Sequence, residues 1–154
     1  MISPTAEYAL RAIVALAQGN KQAQVTPAIA QTTKVPAGYL AKVLQTLGRA
    51  GLVHSKRGLG GGFTLARPAH EITVLDVVNA VDPIKRIERC PLGIEQHGRN
   101  LCPLHHRIDE AIAHVERSFQ ETTIAELLDD DSRHAPLCQG RGTGGGVTLS
   151  INKD

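Results

Sequence analysis

The run Arg57-Gly58-Leu59-Gly60-Gly61-Gly62 constrains this chain more than any other stretch. It stands between Leu52-Val53-His54-Ser55-Lys56 and Phe63-Thr64-Leu65-Ala66, two short segments suited to strands. Glycine admits positive φ and close backbone approach, so the three pieces predict a hairpin around a basic loop. A nucleotide-binding loop is the competing reading of so many glycines. It needs a helix N-terminus to receive phosphate and a Gly-Lys-Ser or Gly-Lys-Thr run. Here the glycines lead into a second strand, and neither run follows.

Three helices are expected before the hairpin. Ser3-Pro4 supplies a capping hydroxyl and a proline at the first helical position. Ala9, Leu10, Ile13, Val14, Leu16 and Ala17 then form a broad apolar face, and Gly19-Asn20 stops it. Thr26-Pro27 repeats the cap-plus-proline start for a short helix over 28–32. Pro36 opens a third, with Leu40, Val43, Leu44 and Leu47 at helical spacing and Gly51 at its end. Only Thr33-Lys34-Val35 separates the second from the third, the tight connection of a helix-turn-helix.

A helix-turn-helix followed by a basic hairpin predicts a winged helix, mainly α with one small β-hairpin. In that arrangement the third helix enters the major groove, and the wing reaches phosphates or the minor groove. Tyr39, Lys42 and Gln45 lie on or near the helix face that the leucines leave free. With Lys56, Arg57, Gly60 and Gly61 at the wing, they are the candidate DNA contacts.

Charge supports this division of labour. Residues 1–70 carry eight Lys/Arg and one acid, Glu7, a net of +7, whereas residues 71–154 carry nine Lys/Arg and 14 acids, a net of −5. A basic first half suits a polyanion, although an unevenly charged solvated surface would read the same way. Two Phe, two Tyr and no Trp argue against an aromatic platform for single strands, leaving double-stranded DNA as the expected partner. Arg11 interrupts the apolar stretch 9–17, so neither a membrane span nor a membrane partner is expected. The start lacks the regions of a secretory signal, and three cysteines make an odd number for a secreted disulfide scaffold. Both point to a cytoplasmic protein.

In the second half, Thr73-Val74-Leu75-Asp76 has capping-box spacing and opens a helix to about residue 81, which Asp82-Pro83 breaks. Residues 83–102 predict an irregular loop bracketed by Cys90-Pro91-Leu92 and Cys102-Pro103-Leu104. A long helix follows from 103 to about 120, with Leu104, Ile108, Ala111, Ile112, Val115 and Phe119 in one stripe. A winged helix is nearly complete without it, so the stripe is expected to join two copies in a dimer that matches a palindromic operator. Thr123 and Glu126 frame a short helix ending near 128. From 129 onward a glycine-rich mobile tail is expected, with 147–151 a strand-like segment lacking a visible partner. The expected division is a DNA-binding domain over 1–82, a cysteine loop and dimerisation helix over 83–128, and a tail over 129–154.

Free cysteine is most often a small buried apolar residue. Cys90 and Cys102, however, lie in a polar loop, each directly before a proline, with His97, His105 and His106 nearby. Thiolates suit iron–sulfur clusters or zinc, and imidazole completes either site. His105 lies three residues beyond Cys102, so one helical turn brings both toward one centre. A Cys90–Cys102 disulfide switch is the further alternative. Cys138 has no ligand-like company and reads as incidental. A small metallohydrolase using His105, His106 and Glu110 is a remote reading, since no general base or substrate cleft is suggested; the chain is not expected to be an enzyme.

The whole pattern resembles the IscR and NsrR family of winged-helix regulators, the Rrf2 family, over about residues 1–128. Glu7-Tyr8-Ala9-Leu10, Gly38-Tyr39-Leu40, and Arg49-Ala50-Gly51-Leu52-Val53 running into the glycine loop carry the resemblance. Ile72-Thr73-Val74-Leu75-Asp76-Val77-Val78 and Cys102-Pro103-Leu104-His105 continue it. The resemblance implies a dimeric transcription regulator holding a two-iron or four-iron cluster that reports iron–sulfur status, nitric oxide or redox state. The family's loop commonly carries three cysteines. Here Cys90 and Cys102 match the outer two, while Gln96 and His97 occupy the middle neighbourhood. Some relatives take a further ligand from an acid in helix one of the other subunit, where this chain has Glu7. The ligand set so implied is Cys90, Cys102, His105 and Glu7 of the partner subunit, with His106 or His97 as substitutes, four ligands for a two-iron cluster; the alternative for Glu7 is that it complements the positive end of helix one.

Overall fold

A computed structural model of the chain describes residues 2–19, 21–93, 100–129 and 137. Helix α1 (Pro4–Gln18) begins where Ser3 Oγ accepts from the Ala6 amide at 3.2 Å. Its buried face is built largely from small residues, Ala6, Ala9, Ala12 and Ala15, beside Ile13 and Leu16. Small side chains let neighbouring elements approach closely, and α1 becomes the central helix, touching α2, α3, α4, α6 and the hairpin.

Helix α2 (Thr26–Thr33) starts differently from the sequence expectation. Thr26 is its first residue rather than its cap; Val25 holds the cap position, with no side-chain cap bond. Pro27 stands at the tolerated first-turn position and sets the start without the hydroxyl. Lys34, in the left-handed region at φ 58°, ends α2, and buried Val35 leads into α3 (Ala37–Arg49). Leu40, Val43, Leu44 and Leu47 face the core as the periodicity predicts. Gly51 at φ 72° reverses the chain while the Leu52 amide bonds the Leu47 carbonyl at 3.0 Å, closing the helix end.

Strands β1 (Val53–Lys56) and β2 (Gly62–Leu65) pair antiparallel, with Val53 opposite Leu65 and Lys56 opposite Gly62. Phe63 and Gln24 exchange backbone hydrogen bonds at 2.8 and 3.0 Å, which pins the hairpin base to the α1–α2 connection. Helix α4 (Val74–Val81) opens with the expected capping box between Thr73 and Asp76. After a connection without helix or strand among its described residues, α5 (Pro103–Glu121) extends alongside α4. Helix α6 (Ile124–Asp129) then returns to the first half: the Ile124 amide bonds Ile72 O at 2.8 Å, and the Ile124 side chain is wholly buried in the core. Among the described residues the architecture is mainly helical with one two-stranded hairpin, as expected. The tail expected over 129–154, its strand-like segment 147–151 and Cys138 lie outside the described residues, apart from Asp129 and Leu137.

Candidate nucleic-acid interface and cysteine loop

Burying the four leucine and valine positions of α3 turns Lys42, Gln45 and Arg49 outward on one helical face. Between this face and β1 runs an open groove of about 820 Å³, lined by Lys42, Gln45, Arg49, His54, Ser55 and Phe63 among others. Lys42 and Gln45 are candidates from the sequence. Arg49 and His54 were missed, yet both carry a signal: Arg49 repeats the spacing from Lys42 and Gln45, and His54 alternates with buried Val53 on the strand. Tyr39 sits at the opposite, N-terminal end of α3. Its hydroxyl shares a hydrogen bond with Thr5 Oγ1 at 2.5 Å, and its ring meets Tyr8 edge-on at 5.5 Å. It therefore joins α3 to α1. Lys56, Arg57 and Gly60 are exposed at the wing, and Gly61 is half-buried within the turn.

Across the molecule, Cys102 holds the N-cap position of α5, and its Sγ lies 3.3 Å from His105 Nδ1. Proline at the first helical position fixes this start, and one turn aligns the sulfur with the imidazole. Cys90 is nine-tenths buried, with 9% of its surface exposed. Three residues upstream of it, the loop is tied to α5. Arg86 Nε donates to Asp109 Oδ1 at 2.7 Å, the Ile87 amide donates to the same oxygen at 2.8 Å, and Arg86 reaches Glu116 at 3.4 Å. The Arg86 guanidinium, helped by the Ile87 amide, holds the Asp109 carboxyl well below the usual carboxylate range, at about 2. Reciprocally, Asp109 raises the pKa of Arg86.

Glu7 is half-exposed on α1 and faces Arg11, whose Nε donates to it at 2.8 Å. Arg11 also donates to the Thr33 carbonyl at 3.1 Å, at the turn of the helix-turn-helix. Within one chain, therefore, Cys102 and His105 come together while Glu7 is held elsewhere by a cation. Among the described residues no three His, Cys, Asp or Glu side chains form a group able to hold a metal ion. His106 lies 3.6 Å from Glu110, which also pairs with Arg107, so two residues of the hydrolase reading form a surface pair while His105 meets Cys102 instead. His97 and Gln96 lie outside the described residues. No helix among the described residues is long and apolar enough to cross a membrane.

A helix-turn-helix with an outward polar face on its third helix, flanked by a cationic hairpin, defines a winged-helix DNA-binding regulator. The model of the Rrf2 family, described as an iron-dependent transcriptional regulator, matches residues 2–130, and this chain belongs to that family. It is 30% identical over 141 residues to the HTH-type transcriptional regulator IscR of Cereibacter sphaeroides, covering 88% of this chain and 91% of the relative. Among solved structures, CymR, the global cysteine regulator of B. subtilis, aligns with a TM-score of 0.69 and 26% identity over 82% of this chain and 95% of its own. T. potens IscR aligns with a TM-score of 0.70 at 24% identity over 84% of this chain and 87% of its own, a likeness of fold.

Proposed function

We propose that this chain is a homodimeric transcription regulator whose grip on a palindromic operator is set by an iron–sulfur cluster, two-iron in preference to four-iron. Lys42 and Gln45, with Arg49 beside them, face base edges in the major groove, Tyr39 supports the start of the reading helix, and Lys56 and Arg57 take phosphates. Gly60 and Gly61 let the wing backbone approach the duplex. The ligands are Cys90, Cys102, His105 and Glu7 of the partner subunit.

The observation that carries the cluster reading is the convergence of Cys102 Sγ and His105 Nδ1 at 3.3 Å on the first turn of α5. Two soft-to-borderline donors at that spacing fit iron. Cys90 follows Ile87, which Asp109 anchors, by three residues, so its connection is tied to the same helix that carries His105; within one chain Cys90 does not group with the Cys102–His105 pair, and binding a cluster would have to draw the three together. When bound, the cluster supplies an iron centre whose oxidation, nitrosylation or loss changes what the four side chains hold together. The residues do the rest. Were Glu7 to serve the neighbouring subunit's site it would leave Arg11, which also holds the turn before α3. Tying α1 of one subunit to the loop of the other thereby bears on the spacing of the two reading helices. Two dimer arrangements favoured differently by a few kcal/mol suffice for such control.

The exposed stripe of α5 supports the dimer. Leu104, Ile108 and Val115 are 65%, 42% and 43% exposed, spaced along one face of a helix with no buried residue of its own. A second copy presenting the same stripe in two-fold symmetry would cover it. The rival reading keeps DNA binding and replaces the cluster with a Cys90–Cys102 thiol switch or zinc. Two free thiols in one connection and the likeness to a cysteine regulator favour it.

Anaerobic purification of the full chain followed by iron, zinc and acid-labile sulfide analysis separates these. A brown protein with equal iron and sulfide supports the cluster. A colourless protein with titratable thiols supports the switch, and zinc without sulfide supports the metal alternative.

A further inference from the structure

The wing carries an apolar tip that the DNA-contact set above does not use. Leu59 has a relative exposure of 105%, the largest among the exposed bulky apolar residues described. A lone exposed leucine is ordinary; what distinguishes Leu59 is the tight, closed turn that presents it. Gly58 and Gly60 on either side adopt φ of 89° and 70°, and the Gly61 amide bonds Gly58 O at 2.9 Å to close the turn. A Cβ at Gly61 would run into the Lys56 carbonyl, so the loop packs down on its own backbone. Gly62, at φ 142°, lies against Gln24, where the hairpin base is pinned. The result is a short braced spike with a branched apolar end, flanked by the exposed cations Lys56 and Arg57.

That sequence of chemistries, cation–apolar tip–tight backbone, matches a groove with phosphates along its rims and deoxyribose on its walls. We infer that Leu59 is an apolar wedge that enters the operator's minor groove and makes affinity depend on base composition at that step. The inference rests on the DNA-binding reading of the wing. The guanine amino group protrudes into the minor-groove floor, whereas A·T leaves it clear, and apolar side chains inserted there act on the base step itself.

The test uses the full-length protein and duplexes it selects from a randomised library. Each A·T pair is exchanged in turn for G·C and for inosine·C, which keeps the A·T-like minor groove while changing the major-groove edge. At one position per half-site, wild type should lose about tenfold in affinity with G·C and retain it with inosine·C. In Leu59→Ala and Leu59→Ser that G·C penalty should vanish while the salt dependence of binding persists. Leu59 lies in open solvent, so both variants should melt like wild type. A variant profile matching wild type at every position, or no position that distinguishes G·C from inosine·C, would overturn the wedge. Failure of wild type to select any duplex would instead remove the DNA-binding reading beneath it.

Discussion

Arg57 is exposed at the shoulder of the wing, where the proposed role is a phosphate contact. Arg57→Ala should weaken binding to all duplexes alike and reduce the slope of log affinity against log salt by about one, as for the loss of one phosphate contact. A loss confined to particular sequences would assign it to base readout instead. Asp109 makes a second prediction at this scale. Its carboxyl is depressed to about 2 in the folded chain, against an ordinary value near about 3.9 in an unfolded one. The Arg86–Asp109 tie therefore contributes fully above about pH 4 and is lost as pH falls through about 2. The Ile87 amide, which donates to Asp109, should report that midpoint in an NMR titration, and Arg86→Ala should move it up toward 4. A wild-type midpoint already near 4 would show that the tie does not hold in solution. Neither Asp109 nor Arg86 stood out in the sequence, because their meeting joins residues 23 apart whose spacing carries no periodic signal.

Among the elements, local signals were legible and long-range ones were not. Ser3, Thr73 with Asp76, and Thr123 with Glu126 all make the capping bonds their spacing implies. These bonds span three residues, so sequence distance nearly determines them. Thr26 failed as a cap because Val25 already has the extended cap conformation one residue earlier. The bridge between Thr73 and Thr123, which folds α6 back beside α1, joins segments 50 residues apart and left no trace in composition. Thr73→Ala removes one half of a capping box and should cost about 1 kcal/mol of stability. The check is urea denaturation; an unchanged midpoint would mean that α4 is held by its buried valines alone.

At the scale of the whole molecule, the proposed cluster requires that Glu7 come from the other subunit. Cys102 and His105 were legible as a pair because they lie one turn apart. Glu7 could be placed only by resemblance, since the single chain gives it to Arg11. Subunit mixing tests this directly. Glu7→Ala and Cys102→Ala homodimers should each lose visible absorbance while their winged domains stay folded. A mixed dimer of the two has one site with every ligand intact if Glu7 acts across the interface, and none if it acts within its own chain. Equal mixing makes about half the dimers mixed, each with one intact site of two, so colour restored to about a quarter of the wild-type level is the expected result. Ile108→Asp, at the exposed stripe, should shift the protein toward monomer in sedimentation and prevent that restoration.

The most direct measurement is the affinity of one anaerobic preparation for a selected operator duplex, read by fluorescence anisotropy before and after the iron is removed by chelation. Control by the cluster predicts a change of about tenfold in either direction, within the usual range of coupling between two sites. Identical affinities with full and stripped protein, from a preparation shown to contain equal iron and sulfide, would contradict it.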